Sequence, residues 1–241
     1  MVESTKLLDH YGYLVQRSYL YEGFNTFRSK FAKYLSTKIS EYSGKKLNLS
    51  DVGDFHLLLE EHDIDIHKFI ASLELKRKLP DYLVSDPFIS GMLNRLSELL
   101  GKKYILHTNT VYFRVCRPNF DDSNDLHRDT WFSNYADVLN IYLPLSGSYN
   151  DSALQIVPFS HKWKDEDVTP SMEAGGGRKY VKNGVAYSAP TIGYSKYEIK
   201  THRPDVVEGD FMIFDPRIIH GKGDNFSLET RFSFEFRIEE I

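Results

Sequence analysis

Apolar residues in the first hundred positions recur with the period of an α-helix. The clearest stripe, at three- and four-residue intervals, consists of Phe24, Phe27, Phe31, Leu35 and Ile39. Gly44 follows this stripe and predicts the end of the helix. A second helical stretch is predicted from Asp54 to Leu79, where Pro80 ends it. A third helix begins at Ser85 or Asp86 as the N-cap, with Pro87 in its first turn, and ends at Gly101.

Beyond Lys103 the apolar period changes to the two-residue alternation of β-strands. Short strands separated by turn-rich segments are predicted at Thr110–Arg117, Val138–Leu143, Ala153–Val157, Phe211–Phe214 and Thr230–Ile238. Such strands at irregular spacing favour a sandwich or barrel of antiparallel sheets. We therefore predict one domain over residues 1–241, in which a mostly helical part (about 1–103) supports a β-core (104–241).

A long polar insert, residues 163–206, interrupts the predicted β-core. A connection of this length is usually either functional or an irregular surface loop. The insert lies between His127 and Asp129 on one side and His220 on the other, three candidate metal ligands. We therefore predict that it folds over the mouth of the barrel as a lid. Its basic residues Arg178, Lys179 and Lys182 would then favour a polar or anionic substrate.

Composition and charge narrow the class of protein. The 241 residues carry 30 basic and 34 acidic side chains, which argues against a dedicated nucleic-acid or polybasic membrane binder. The single cysteine, Cys116, cannot form an internal disulfide or a thiolate zinc cage. No apolar run approaches the ~20 residues of a membrane span, and no signal-peptide pattern follows Met1. The sequence predicts a soluble, cytoplasmic, globular protein, and its acidic charge and single-domain size favour a small-molecule substrate over a protein or nucleic acid.

Two histidines and one aspartate form a candidate metal site. His127 and Asp129 are two residues apart, so on extended backbone their side chains point the same way. His220 ends a strand-like run that starts at Gly209. Two His and one carboxylate on one face of an ion form the facial triad of non-haem Fe(II) oxygenases, which leaves three positions open for substrate and dioxygen.

The last predicted strand adds a candidate anion site. Its alternation puts one set of side chains on one face and the rest on the other: Phe232, Phe234 and Phe236 against Arg231, Ser233, Glu235 and Arg237. The phenylalanines predict a face packed on helices, so Arg231 and Ser233 should point into the barrel. A buried guanidinium needs a partner. A dicarboxylate cosubstrate, held bidentately, would supply one.

Several separated segments together resemble the phytanoyl-CoA dioxygenase-like family of Fe(II)/2-oxoglutarate-dependent oxygenases. They are residues 8–15 (LDHYGYLV), 126–129 (LHRD), 154–162 (LQIVPFSHK), Gly209–Asp210, His220–Gly221 and 231–233 (RFS). Phe159 stands where the family usually has glycine. The segments follow the family's order over nearly the whole chain. The resemblance implies a double-stranded β-helix, a jelly-roll or cupin-like barrel, buttressed by the N-terminal helices.

The resemblance also implies roles for individual residues. His127, Asp129 and His220 would be the iron ligands and the catalytic centre. Arg231 would pair with the distal carboxylate of 2-oxoglutarate, and Ser233 would add a hydroxyl to it. Some of the polar residues on the neighbouring strands would complete the cosubstrate or substrate pocket. These candidates are Asn140, which we assign to the cosubstrate, and Tyr142, Tyr112 and Arg114.

The implied reaction uses Fe(II), 2-oxoglutarate and O2, with ascorbate as an optional reductant, and releases succinate and CO2. Asp129 favours hydroxylation or desaturation over halogenation, because related halogenases lack this carboxylate so that halide can bind iron. Two alternatives stay open. One is an inactive metal-binding barrel that acts as a binding module, and the other is a cupin-type isomerase or hydrolase with another divalent metal. Dependence on 2-oxoglutarate distinguishes the oxygenase from both.

Overall fold

The computed structural model describes residues 3–17, 21–73, 79–132, 135, 137–171, 180–182, 185–187 and 190–241. Within them, helices form most of the N-terminal part: α1 (Glu3–Tyr11), α2 (Tyr21–Ser43), α3 (Phe55–Glu61), α4 (Ile66–Ser72), α5 (Asp81–Val84) and α6 (Pro87–Leu100). Strands follow almost exclusively after residue 103: β1 (Tyr13–Gln16), β2 (Tyr104–Cys116), β3 (Leu139–Ser146), β4 (Gln155–Val157), β5 (Val168–Pro170), β6 (Tyr180–Lys182), β7 (Val185–Tyr187), β8 (Ile192–Ser195), β9 (Phe211–Phe214), β10 (Ile219–Gly221) and β11 (Arg231–Glu240).

Two of the three predicted helices are confirmed, with the local chemistry that the sequence indicated. Helix α2 ends before Gly44, whose φ of +68° suits glycine. Helix α6 is capped by the Asp86 side chain, which accepts a hydrogen bond from the Phe88 amide at 3.0 Å. It has Pro87 in its first turn, and Gly101 ends it in the left-handed conformation.

The helical stretch predicted from about Asp54 to Leu79 is not one helix, and residues 74–78 of it lie outside the described residues. The chain forms α3 and α4 instead, separated by a turn in which Asp63 adopts a φ of +53°. Asp65 then caps α4 by accepting hydrogen bonds from the next turn. Pro80 is the N-cap residue of α5. No Gly or Pro marks the turn at Asp63, so the apolar pattern runs through it without a visible break.

The strands build antiparallel sheets, as predicted. The main sheet has the order β1-β9-β3-β11-β2, and β4 pairs with β10 in a second sheet. Strand β9 has the predicted bounds, whereas β2 begins earlier than expected, at Tyr104. A cluster of buried apolar side chains from β3, β4 and β9, which includes Tyr142, Ile156 and Met212, joins the two sheets.

The helices pack on the apolar face of β11. Phe232, Phe234 and Phe236 are buried, and the rings of Phe232 and Phe234 contact phenylalanines of the N-terminal helices. The ring centroids of Phe31 and Phe234 are 4.9 Å apart in an edge-to-face contact, and Phe55 meets Phe232 at the same distance. This packing confirms that the opposite face of β11 is turned towards the second sheet.

The described parts of the insert 163–206 contain short paired strands. Strand β5 pairs with β8, and β6 pairs with β7 as a hairpin. Gly175–Gly177, Arg178 and Lys179 lie outside the described residues, as does the side chain of Lys182, so the lid stays a prediction. Of the helices that the structure describes, none is long and apolar enough to cross a lipid bilayer.

Candidate metal centre

The two candidate histidines are neighbours through their backbones. His127 and His220 form an isolated antiparallel bridge, in which each amide donates to the carbonyl of the other at 2.9 and 3.0 Å. Their ring centroids are 4.5 Å apart. The structure therefore brings together two residues that are 93 positions apart in the sequence, and it does so with main-chain bonds that do not depend on a ligand.

Both imidazoles have one nitrogen committed to the protein. His127 Nδ1 donates to the Asp125 carbonyl at 2.7 Å, and His220 Nδ1 donates to the Ile218 carbonyl at 3.0 Å. A carbonyl only accepts, so each Nδ1 carries a proton, and in the neutral ring each Nε2 then keeps a free lone pair. Burial, together with the nearby His127, lowers the pKa of His220 to about 4, so this ring is neutral at pH 7.

Asp129 completes a converging set of acceptors. Its amide donates to the Pro216 carbonyl at 3.0 Å, and its Oδ1 lies 3.5 Å from His127 Nε2 and 3.7 Å from His220 Nε2. All three side chains are buried, and their ligand atoms lie within 4.8 Å of one another. With both Nδ1 atoms protonated, three lone pairs face one another, an arrangement that a cation stabilises. The donor set fits a divalent transition metal with open positions.

The second carboxylate oxygen of Asp129 is held by the protein. Arg237 Nη2 donates to Oδ2 at 2.5 Å, and Asn140 Nδ2 donates to it at 3.1 Å. Burial alone would raise the pKa of Asp129, but the His127 and His220 imidazoles, once protonated in acid, and the Arg237 guanidinium hold that pKa well below its ordinary value. The carboxylate is therefore ionised and ready to bind a cation. The ion pair between Arg237 and Asp129 was not predicted from the sequence.

Arg128, between two of the candidate ligands, anchors their segment. Its side chain is 1% exposed, and Nη2 donates to the carbonyls of Ser160 and Trp163 at 2.5 and 3.0 Å. Nη1 reaches the Asp165 carboxylate at 3.1 Å. The guanidinium thus joins the segment of His127 and Asp129 to the turn after β4. This role of Arg128 was not predicted from the sequence, because a charged residue between two ligands is expected to be exposed to solvent.

Arg231 and Ser233 lie on the inner face of β11, as predicted. Arg231 Nη1 donates to the Ser152 carbonyl, and Nη2 contacts Cys116 Sγ at 2.8 Å. Among the described residues, the buried Arg231 Nε and Ser233 Oγ have no hydrogen-bond partner. Two unsatisfied donors on one face of a strand are costly unless a ligand accepts from them. A carboxylate is the group that fits both.

The other predicted pocket residues are distributed over the same interior. Arg114 Nε lies 3.3 Å from Glu235 Oε2 and forms an ion pair with it. Tyr142 is buried, with its hydroxyl 3.3 Å from Ser148 Oγ. Asn140 donates to Asp129, and its assignment to the cosubstrate stays a prediction. The side chain of Tyr112 lies outside the described part of the chain. The alternation along β11 already indicated that Glu235 and Arg237 face inwards.

The whole chain has a clear family affiliation. The family model described as "Phytanoyl-CoA dioxygenase (PhyH)" matches residues 9–233, which is nearly the full length. The chain therefore belongs to the phytanoyl-CoA dioxygenase family, and it is an oxygenase of the class that uses Fe(II), 2-oxoglutarate and O2. No curated protein matches the chain.

Solved structures share the fold at low sequence identity. EctD from S. alaskensis is similar with a TM-score of 0.56 and 12% identity, covering 99% of this chain and 76% of its own. SnoK, a non-heme alpha-ketoglutarate-dependent carbocyclase from nogalamycin biosynthesis, has a TM-score of 0.56 and 16% identity, with 98% and 82% covered. AviO1 from Streptomyces viridochromogenes Tue57 has a TM-score of 0.55 and 12% identity, with 98% and 93% covered. The predicted double-stranded β-helix is confirmed.

Proposed function

We propose that this oxygenase hydroxylates a small molecule within one domain formed by residues 1–241. The observation that carries the proposal is the convergence of His127 Nε2, Asp129 Oδ1 and His220 Nε2 in a buried site. We assign these three atoms as the metal ligands. They would hold an ion from one side and leave positions for a bidentate cosubstrate and for dioxygen.

We assign Arg231 and Ser233 to the distal carboxylate of 2-oxoglutarate. The unpartnered Arg231 Nε and Ser233 Oγ supply two donors, and charge-assisted hydrogen bonds to a carboxylate are the strong ones. Of the charged side chains named around this site, the three arginines Arg114, Arg231 and Arg237 outnumber the two carboxylates, Asp129 and Glu235, by one. A divalent ion raises this positive charge further, so the site attracts a dianion.

The protein's own groups have defined tasks in this reaction. Bound iron would supply the redox activation of dioxygen, with 2-oxoglutarate leaving as succinate and CO2. The Ile218 and Asp125 carbonyls hold the two imidazoles in the tautomer that binds a metal. The Phe214 ring packs edge-on against His220, with centroids 4.8 Å apart, and keeps water from that side of the ring.

The specific reaction that we propose is hydroxylation of a polar or anionic small molecule. Asp129 supports hydroxylation over halogenation, because it occupies the position that halide would need. The fold is compatible with small-molecule chemistry, since EctD has been solved with 2-oxoglutarate and 5-hydroxyectoine and also with bound Fe. The insert 163–206 is our candidate lid, with Lys182 among its basic residues. A cytoplasmic location stays a prediction.

Isotope labelling tests the reaction type. The purified protein is incubated with Fe(II), 2-oxoglutarate, 18O2 and a panel of polar and anionic small molecules, and succinate and products are analysed by mass spectrometry. We expect succinate to form with one 18O atom and a substrate to gain one 18O. A product that loses two hydrogens would identify a desaturase. Conversion of a substrate without 2-oxoglutarate would favour the isomerase or hydrolase alternative.

A further inference from the structure

We propose that Arg237 is a positioning residue that holds the Asp129 carboxylate in a one-oxygen binding mode. In this mode Oδ2 is tied to the protein and Oδ1 is left for the metal ion. The inference rests on the proposed function, because it requires a divalent ion at His127, Asp129 and His220.

The two oxygens of Asp129 have different surroundings. The donors from Arg237 and Asn140 both reach Oδ2, at 2.5 and 3.1 Å. Oδ1 instead faces the Nε2 atoms of His127 and His220 at 3.5 and 3.7 Å. An ion pair that served only to hold β11 against the segment of Asp129 would not need to spare one oxygen. This division fits a carboxylate that binds a cation through Oδ1.

The strand geometry explains why both donors reach the same atom. Arg237 on β11 is the direct cross-strand partner of Asn140 on β3, so their side chains leave the sheet side by side. The pairing of β11 with β2 shifts register between Phe236 and Ile238, around Arg237. Irregularities of this kind often re-aim a side chain next to an active site.

The guanidinium is also fixed on its flat side. Its central carbon lies 3.9 Å from the centroid of the Tyr135 ring, a distance typical of cation–π stacking. The Arg237 and Asp129 side chains are 8% and 6% exposed, so water competes little for their hydrogen bond. A planar group stacked on one face and bonded at its edge has little rotational freedom. Arg237 therefore fixes the plane of the Asp129 carboxylate and also balances its negative charge.

Release of Oδ2 would have a specific chemical consequence. A carboxylate can bind a cation through one oxygen or through two. If Asp129 turned so that both oxygens reached the ion, it would occupy one of the positions that the bidentate cosubstrate needs. Loss of Arg237 should therefore weaken 2-oxoglutarate binding and alter the visible spectrum of the complex.

The test compares Arg237→Gln, Arg237→Lys and Asn140→Ala with wild type under anaerobic conditions. Each protein is loaded with Fe(II) and titrated with 2-oxoglutarate, and the charge-transfer band gives both its position and the dissociation constant. We expect Arg237→Gln to shift the band and to weaken 2-oxoglutarate binding about tenfold or more, as for other groups that orient a metal ligand. Arg237→Lys keeps the charge and should recover part of the affinity. Asn140→Ala should shift the band with a smaller loss of affinity.

Arg95→Gln is the matched control, because Arg95 pairs with Glu98 on the surface of α6, away from the site. It should leave the band and the affinity unchanged. An Arg237→Gln protein that is folded by circular dichroism, with wild-type band and affinity, would overturn the inference. If that variant does not fold, a folded Arg237→Lys protein with wild-type band and affinity overturns it, because lysine lacks the stacked planar group that fixes Oδ2. A wild-type protein with no band would refute the proposed function itself, which separates the two failures.

Discussion

Gly221 lies directly against the backbone of Asp125. A Cβ atom at Gly221 would be 2.5 Å from the Asp125 carbonyl oxygen, and Gly221 has a φ of +132°. The same carbonyl accepts the Nδ1 hydrogen bond of His127, while Gly221 directly follows His220. The glycine is therefore required by a close approach that aligns both candidate metal-binding histidines.

Gly221→Ala should damage the metal site and the fold together. The added methyl group must push the Asp125 carbonyl away from His127, and the backbone must also accept a strained φ. We expect a loss of about 2–3 kcal/mol in the free energy of unfolding and metal binding weakened about tenfold. Denaturant unfolding and Co(II) titration measure the two effects.

Gly44→Ala is the control for backbone strain alone. Gly44 has a φ of +68°, and apart from its chain neighbours no atom of the described residues lies within 4 Å of its added Cβ. We expect about 1 kcal/mol of destabilisation and unchanged Co(II) affinity. Equal effects of the two substitutions on metal binding would contradict the role given to Gly221.

Acid should destabilise the metal-free protein between about pH 6.5 and 4, the range between the ordinary pKa of His220 and its lowered value. In that window the unfolded chain binds a proton that the folded chain does not, so the free energy of unfolding falls as the pH falls. A pKa of His220 lowered to about 4 corresponds to a loss of about 3 kcal/mol in the free energy of unfolding across this range. Urea unfolding in EDTA over this range measures the slope.

His220→Gln should remove most of that pH dependence. Burial also lowers the pKa values of His56 and His161, so these residues contribute with the same sign and leave a residual slope. An identical slope in the His220→Gln and wild-type proteins would mean that His220 is not buried in its neutral form.

Phe234→Ala should weaken the packing of the helical part on the β-core and lower the free energy of unfolding. Phe234 is fully buried, and its ring contacts Phe27 and Phe31 of α2. We expect the free energy of unfolding to fall by about 3–5 kcal/mol, which is typical of a large cavity in a packed core. Phe226→Ala, at a side chain that is 62% exposed, should change the stability by less than about 0.5 kcal/mol. Thermal unfolding of both variants tests the contrast.

Arg231→Lys should weaken 2-oxoglutarate binding without affecting the metal. A lysine lacks the planar fork that matches a carboxylate, so we expect a loss of about 10- to 100-fold in affinity. Ser233→Ala should cost less, about 2- to 10-fold, because it removes one neutral donor. Isothermal titration with 2-oxoglutarate, on protein loaded with Mn(II), measures both. Weakened Mn(II) binding in either variant would argue against the assigned roles.

The local chemistry of the sequence predicts some elements well. Asp86, Pro87 and Gly101 delimit α6 because caps and stops act within a few residues. The alternation in β11 assigns its two faces because a strand has a strict period of two. The family resemblance identifies His127, Asp129 and His220 as one group, and the structure brings their ligand atoms together.

Other features depend on contacts that the sequence pattern does not contain. The tie between Arg237 and Asp129 joins residues 108 positions apart, and nothing local indicates which carboxylate an inward-facing arginine meets. The strands of the insert, such as β5 and β8, are three or four residues long and pair across a long connection. The turn at Asp63 carries no Gly or Pro signal, so the pattern predicts one helix where two form.

Anaerobic titration with Fe(II) and 2-oxoglutarate tests the central claim most directly. The protein is examined for the weak visible charge-transfer band of the chelate, beside His127→Ala and Arg231→Ala. We predict a band in wild type, no band in His127→Ala because the ion is lost, and a band in Arg231→Ala only at much higher 2-oxoglutarate concentration. Iron binding to the wild-type protein without any band would contradict the assignment of this site to a 2-oxoglutarate-dependent hydroxylase.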